Sequence, residues 1–228
     1  MKTPSSLVPL LASLSILAAC SSTSSTVPAE VTIDPSVART QASALTAAVT
    51  SASSNDGLAI AETIASAANT AAALTPPTRD ASRGQIARAH VATTCACAKG
   101  ATSCTFAGCT IDRATVNGTI SWGNGTITCD KLNVAVPQAS AQVGAVNVTV
   151  DCSFTYTSNS LAGTLHTTGE ARVQGVDYTW DATIAVNDVT FTKSALTGGS
   201  VDVEASVTGS STQRGSESYV GSAIVTLP

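Results

Sequence analysis

Val146-Asn147-Val148-Thr149-Val150-Asp151-Cys152-Ser153-Phe154-Thr155-Tyr156 is the stretch whose reading decides the fold. Its even-numbered residues are apolar, and its odd-numbered ones are Asn, Thr, Asp and Ser. Successive side chains of a strand point to opposite faces, so this alternation describes a long strand with one buried face and one wet face. Val176, Tyr178, Trp180, Ala182, Ile184 and Val186 repeat the pattern further along.

Turn chemistry predicts how such strands pair. Asn124-Gly125 is a type I′ hairpin signal, because both residues tolerate positive φ. It sets Trp122 opposite Ile127 and Ile120 opposite Cys129. Gln174-Gly175, taken as a two-residue turn, sets Val173 against Val176, Ala171 against Tyr178 and Leu165 against Ile184. It also places Gly169 opposite Trp180, where an indole can cover a bare glycine, and Arg172 opposite Asp177 on the other face. A one-residue slip would undo the apolar and the charged pairs together. Asn187-Asp188 reads as a further turn, pairing Val186 with Val189 and Ile184 with Phe191. A loop over Leu196 to Ser200 then sets Phe191 against Ala205 and Val189 against Val207, and a last strand is expected from about Ser218 to Leu227.

These segments make residues 95–228 a mainly β domain, an antiparallel up-and-down meander of about nine strands with one apolar face. That face has to be buried. The sheet can curl into a half-barrel or barrel, or lie under helices; a curled sheet with helices against it is the expectation. A transmembrane barrel alternates in the same way, but it needs aromatic girdles, and aromatic residues make up only 4% of this chain.

The helices come from residues 34–77. Asp34-Pro35 offers an N-cap followed by Pro at the first helical position, and Ala-rich sequence continues to about Ser51. Ser53-Ser54-Asn55-Asp56-Gly57 breaks it. A second helix is expected from Leu58 to Leu74, stopped by Pro76-Pro77. Leu58, Ala61, Ala65, Ala68 and Ala72 share a face, with Ile60 and Ile64 beside them, so the N-terminal Ala-rich helical hairpin presents small residues for close packing. Residues 78–94, with Arg79, Arg83 and Arg88, read as a connector.

Charged residues are 11% of the 228-residue chain, and the net charge is −4. That share is about half the usual one, and no basic patch is present, so nucleic acid is not an expected partner. Low charge with abundant Ser, Thr, Ala and Gly suits a protein outside the cytoplasm.

The N-terminus supplies the address. Met1-Lys2 carries one positive charge, Leu7 to Ile16 is largely apolar, and Leu17-Ala18-Ala19-Cys20 follows. A basic start, a short apolar core and small residues before a cut describe a secretory signal, here residues 1–19. The apolar run is short for a membrane span. Leu17-Ala18-Ala19-Cys20 resembles the lipobox of bacterial lipoproteins. The resemblance covers the address segment alone and implies a diacylglyceryl thioether on Cys20, removal of the peptide before it, and acylation of the new N-terminus. Two or three chains anchor stably, each buried CH₂ contributing roughly 0.8 kcal/mol. Ser21 after the cysteine implies the outer membrane if the source is Gram-negative. Residues 20–33 would then be the lipidated cysteine and a flexible Ser/Thr-rich tether of about 20 Å root-mean-square span. The expected partners are the membrane, through the anchor, and an envelope protein or a lipid.

Six further cysteines remain: Cys95, Cys97, Cys104, Cys109, Cys129 and Cys152. An even number in an exported protein argues for disulfides. If the strands 126–136 and 145–157 are neighbours, Leu132, Val134 and Val136 pair with Val150, Val148 and Val146. A single bulge near Asp130-Lys131 then sets Cys129 opposite Cys152, close enough for a bridge. Cys95 and Cys97 are too close to each other to pair comfortably, so each takes one of Cys104 and Cys109. A zinc site among these four is disfavoured, because the spacing lacks paired C-x₂-C, and no metal or other cofactor is expected.

Chemistry is thin. His90 lies in the connector, and His166 sits on the polar face of a strand, across from Thr183. No nucleophile elbow, zinc-protease helix or phosphate loop is present, and a catalytic triad needs three groups converging in a cleft. Asp177 and Asp181 read as solvated charges, and Trp122 and Trp180 as core. The sequence therefore points to a non-catalytic structural or interaction module of the envelope. A binding protein for an apolar ligand, using the apolar face of a curled sheet, is the alternative, and a hydrolase comes last.

Overall fold

The structure is a computed structural model and describes residues 28–30, 32–72, 95–98, 100–111, 114–138, 143–173, 175–192, 195–211 and 215–228. The signal segment, Cys20, the Arg-bearing connector, His90 and the end expected for the second helix lie outside these residues. Two helices, α1 (Pro35–Ser53) and α2 (Gly57–Ala72), precede a run of strands. The strands are β1 (Ala29–Glu30), β2 (Ser103–Ile111), β3 (Ala114–Gly123), β4 (Thr126–Val136), β5 (Val143–Tyr156), β6 (Ser160–Val173), β7 (Val176–Phe191), β8 (Leu196–Ser211) and β9 (Gly215–Thr226).

The nine strands form one sheet in the order β1-β9-β8-β7-β6-β5-β4-β3-β2. From β2 to β9 each strand pairs antiparallel with the next in sequence, which is the up-and-down meander. Two features differ from a purely antiparallel barrel. The sheet is open, with β1 and β2 at its edges. It is also mixed, because Ala29–Glu30, within the stretch read as tether, pairs parallel with Tyr219 and Val220 of β9.

Local chemistry explains the registers. Asn124 and Gly125 both take positive φ, 50° and 75°, as a type I′ turn requires, and Trp122 faces Ile127 while Ile120 faces Cys129. Across β6 and β7 the pairs Val173–Val176, Arg172–Asp177, Ala171–Tyr178, Gly169–Trp180 and Leu165–Ile184 all form. The bulge lies between Cys129 and Leu132. Lys131 takes φ 47° there, and its amide donates to Asp151 Oδ1 at 2.9 Å.

Asn187-Asp188 is not a turn. β7 runs on to Phe191, and the chain reverses where the Thr192 amide donates to the Ala195 carbonyl. Val186 therefore faces Val201 rather than Val189, and Ile184 faces Val203 rather than Phe191. Ala205 and Val207 lie opposite Ala182 and Trp180, and Leu196 to Ser200 belong to β8. The reason is in the backbone. Asp188 alone takes positive φ, 48°; a type I′ turn needs two such residues, whereas one suits a bulge. Gly199 receives that bulge, since a Cβ on it would stand 2.5 Å from the Asp188 carbonyl oxygen.

The helices cover the apolar face. Asp34 caps α1 by accepting the Ser36 amide at 2.8 Å, and that bond holds its carboxyl below the ordinary carboxylate range. Ala38, Ala42, Leu45, Ala48, Val49 and Ala52 of α1 are buried. In α2 the buried stripe is Ile60, Ala61, Ile64 and Ala67, while Leu58 and Ala65 are only half-buried. Ile60 and Ile64, expected beside the small-residue face, are fully buried, and their large apolar area gains much from burial. The helices pack on each other, α1 against β3, β7, β8 and β9, and α2 against β2, β3, β5 and β6. Ile120, Leu132, Val150, Leu165, Ile184 and Val203 beneath them are fully buried.

One contact keys α2 to the sheet. The Trp122 ring lies on Gly57, where an added Cβ would meet Cη2 at 2.2 Å, and Trp122 is buried in the core. Ala would ordinarily help a helix by up to about 1 kcal/mol over Gly, but overpacking costs roughly 1–3 kcal/mol. Gly57→Ala is therefore expected to destabilise the oxidised protein by about 1–2 kcal/mol in urea unfolding; equal or greater stability would show that Trp122 does not seat on this helix.

Candidate functional site

The six cysteines close three bridges: Cys95–Cys109, Cys97–Cys104 and Cys129–Cys152, with Cα atoms 5.0, 5.3 and 4.6 Å apart. The first two tie residues 95–98 to the edge strand β2, and the third joins β4 to β5 beside the bulge. All six thiols are thereby spent. Among the described residues no group of three or more His, Cys, Asp or Glu is placed to hold a metal ion.

The outer face of the sheet carries the polar half of every alternation. Across it, Asp151, His166, Thr183, Glu204 and Ser222 stand directly opposite one another on β5 to β9. The row beside it contains Thr149, Thr168, Asp181, Ser206 and Val220. His166 Nε2 lies 3.1 Å from Asp181 Oδ1, and both side chains are exposed, 44% and 60%. Arg172 and Asp177 approach to 3.6 Å at the end of β6 and β7, also in solvent, where such pairs contribute little.

A shallow groove of about 500 Å³ crosses this face at its β9 side. Pro28, Glu30, Asp181, Thr183, Glu204, Val220 and Ser222 are among its walls, with no Lys or Arg among them. It brings carboxylates, hydroxyls and one exposed valine together on a surface open to water. His166, Asp181 and Thr183 are near neighbours, but His166 directs Nε2 to Asp181 on a surface open to water. Nothing here excludes water or aims hydrogen-bond donors at a reacting centre, which acyl-transfer catalysis requires.

Trp122 and Trp180 lie in the core, 4% and 5% exposed. Trp180 covers Gly169, and Tyr178 covers Gly209 in the same manner. Tyr219 donates to Glu217 at 2.5 Å; that bond, with partial burial and the negative charge of Glu217, pushes its phenol up to about 12. Sequence reasoning missed two residues. Gln41 of α1 and Thr167 of β6 are fully buried, and their polar atoms have no protein partner. Thr167 follows the alternation of its strand, so its position was legible, but a hydroxyl among apolar neighbours gave no signal of burial.

Comparison of the chain with protein-family models, with curated proteins and with solved structures gives no match.

The Cys129–Cys152 bridge joins neighbouring strands of a sheet that already pairs well, and a disulfide of this loop size contributes roughly 2–4 kcal/mol. Cys129→Ala with Cys152→Ala is expected to lower unfolding stability by about 3 kcal/mol while far-ultraviolet circular dichroism keeps its β signature. Loss of the sheet in the double variant would mean that the bridge sets the β4–β5 register instead of following it.

Proposed function

We propose that this chain is an envelope lipoprotein, held to a membrane through acylated Cys20, whose mature part is a non-catalytic structural or interaction module. Leu17-Ala18-Ala19-Cys20 at the end of a short apolar run carries the proposal. The position of Ala29–Glu30 on the edge of the sheet supports it. The few residues between Cys20 and Ala29 can reach at most about 30 Å, so the β9 edge is leashed close to the anchor. No helix among the described residues is long and apolar enough to cross a membrane.

Two features favour a module over a carrier or an enzyme. The apolar face that a carrier would offer to a lipid lies under α1 and α2, with Ile60, Ile64, Leu165 and Ile184 fully buried between them. The groove on the other face is shallow, polar and acidic, unlike the apolar pockets that enclose small ligands. The readings that remain concern surfaces: an outer face crossed by Thr, Ser and Asn side chains, and the edge at β9.

Mass spectrometry of the N-terminal peptide from membrane-expressed protein tests the anchor. The expected peptide begins at Cys20 and carries a diacylglyceryl group with or without a further acyl chain, and Cys20→Ala should abolish the modification and leave the precursor uncleaved. An N-terminus elsewhere, or an unmodified thiol at Cys20, would contradict the proposal.

A further inference from the structure

The three disulfides are not equivalent. Five of the six bridged cysteines are buried, between 4% and 9% exposed, whereas Cys97 is only half-buried. Ala96, Ala98, Gly100, Thr102 and Ser103, around the Cys97–Cys104 bridge, are exposed. Thiol–disulfide exchange begins when a thiolate reaches a sulfur, so access selects among bridges.

Nesting adds a thermodynamic difference. Cys97 and Cys104 are 7 residues apart and lie inside the loop that Cys95–Cys109 closes over 14. A disulfide stabilises mainly by closing a loop in the unfolded chain. With the outer loop already closed, the inner bridge removes little further freedom. Linkage is reciprocal, so a bridge that adds little to the fold is protected little by it. Cys129–Cys152 is the opposite case, since it joins buried residues 23 apart on paired strands and is not nested.

Opening the inner bridge has a local consequence. The Thr102 carbonyl, inside the inner loop, accepts the Trp122 amide at 2.8 Å, and the Trp122 ring seats on Gly57 of α2. The inner bridge therefore holds the chain beside the aromatic contact that keys α2 to the sheet. When it opens, Cys95–Cys109 still ties the 95–98 segment to β2.

We propose that Cys97–Cys104 is a thiol-exchange site, which a dithiol reductant enters at Cys97 and whose opening loosens the Thr102–Trp122 contact without unfolding the protein. One thiolate of the dithiol attacks Cys97 Sγ, the bridge breaks, and Cys104 leaves as a thiolate and takes up a proton. The second thiol of the reductant, as its thiolate, attacks the reductant's own sulfur in the mixed disulfide and expels Cys97, which is protonated in turn. Two electrons have then passed from the dithiol, oxidised to a disulfide, to the bridge, reduced to two thiols. The inference rests on the bridges and does not require the anchor.

The test uses the oxidised full chain, with dithiothreitol as the dithiol. After graded reduction, acid quench and alkylation, peptide mapping should find Cys97 and Cys104 labelled at about a tenth, or less, of the dithiothreitol concentration that opens either other bridge. Hydrogen exchange at the Trp122 amide should then quicken by about 10-fold, while the centres of β6 and β7 keep their protection. Cys97→Ser with Cys104→Ser should fold with the other two bridges closed, and should show the same faster exchange at Trp122 without reductant. Labelling of another pair before or together with Cys97 and Cys104, a double variant that does not fold, or Trp122 exchange unaltered when the bridge is open or absent would each overturn the proposal.

Discussion

The structure depends on one constraint: an open sheet with a single apolar face must put that face against something, and here one helical hairpin supplies the cover. Alternation along β3 to β9 sends valines, isoleucines, leucines and aromatics to the same side. The hairpin meets them with buried alanines, Leu45, Val49, Ile60 and Ile64. Where a large sheet residue needs room, the opposite element gives it. Trp122 lies on Gly57 of α2, and within the sheet Trp180 lies on Gly169 and Tyr178 on Gly209. These ring-on-glycine contacts spread a small number of aromatics over much of the interior.

Covering the inner face decides what the rest of the molecule can do. With the apolar side filled, the surfaces left to solvent are the outer face, the outer sides of the helices and the edges. The outer face is a field of short hydroxyl and amide side chains cross-linked between strands, as at Thr105–Thr119, Asn133–Asn147 and Asn187–Asp202. Its acids are spread along rows, and the His166–Asp181 pair stands in water. The covalent staples are concentrated at β2, where they close one edge, and at the other edge β1 lies beside Tyr219 and Val220 of β9.

Much of the sheet was legible in the sequence because alternation and turn chemistry act over a few residues. The β3–β4 and β6–β7 registers and the β4–β5 bulge follow from Asn124-Gly125, Gln174-Gly175 and the parity of Cys129 against Leu132. Asn187-Asp188 misled because the same dipeptide serves a turn or a bulge, and the choice is made by Gly199 on another strand. The parallel pairing of Ala29–Glu30 joins residues far apart in sequence through two backbone positions, which leaves no pattern to read. The pairing of Cys95 with Cys109 and of Cys97 with Cys104 needed the path of the edge strand, whereas Cys129–Cys152 needed only the bulge. The candidate site was the least legible part, since its groove is assembled from single residues of β1, β7, β8 and β9.

The central claim is that hairpin and sheet form one cooperative unit because each buries the other. Native-state hydrogen exchange with the disulfides intact tests it most directly, since local units open with their own free energies. The account predicts that amides of the buried stripes of α1 and α2 and of the centres of β6 and β7 exchange through one opening of common free energy. Helix amides that exchange orders of magnitude faster than those strands would contradict it, and would mean that the apolar face of the sheet is only loosely covered and open to a ligand.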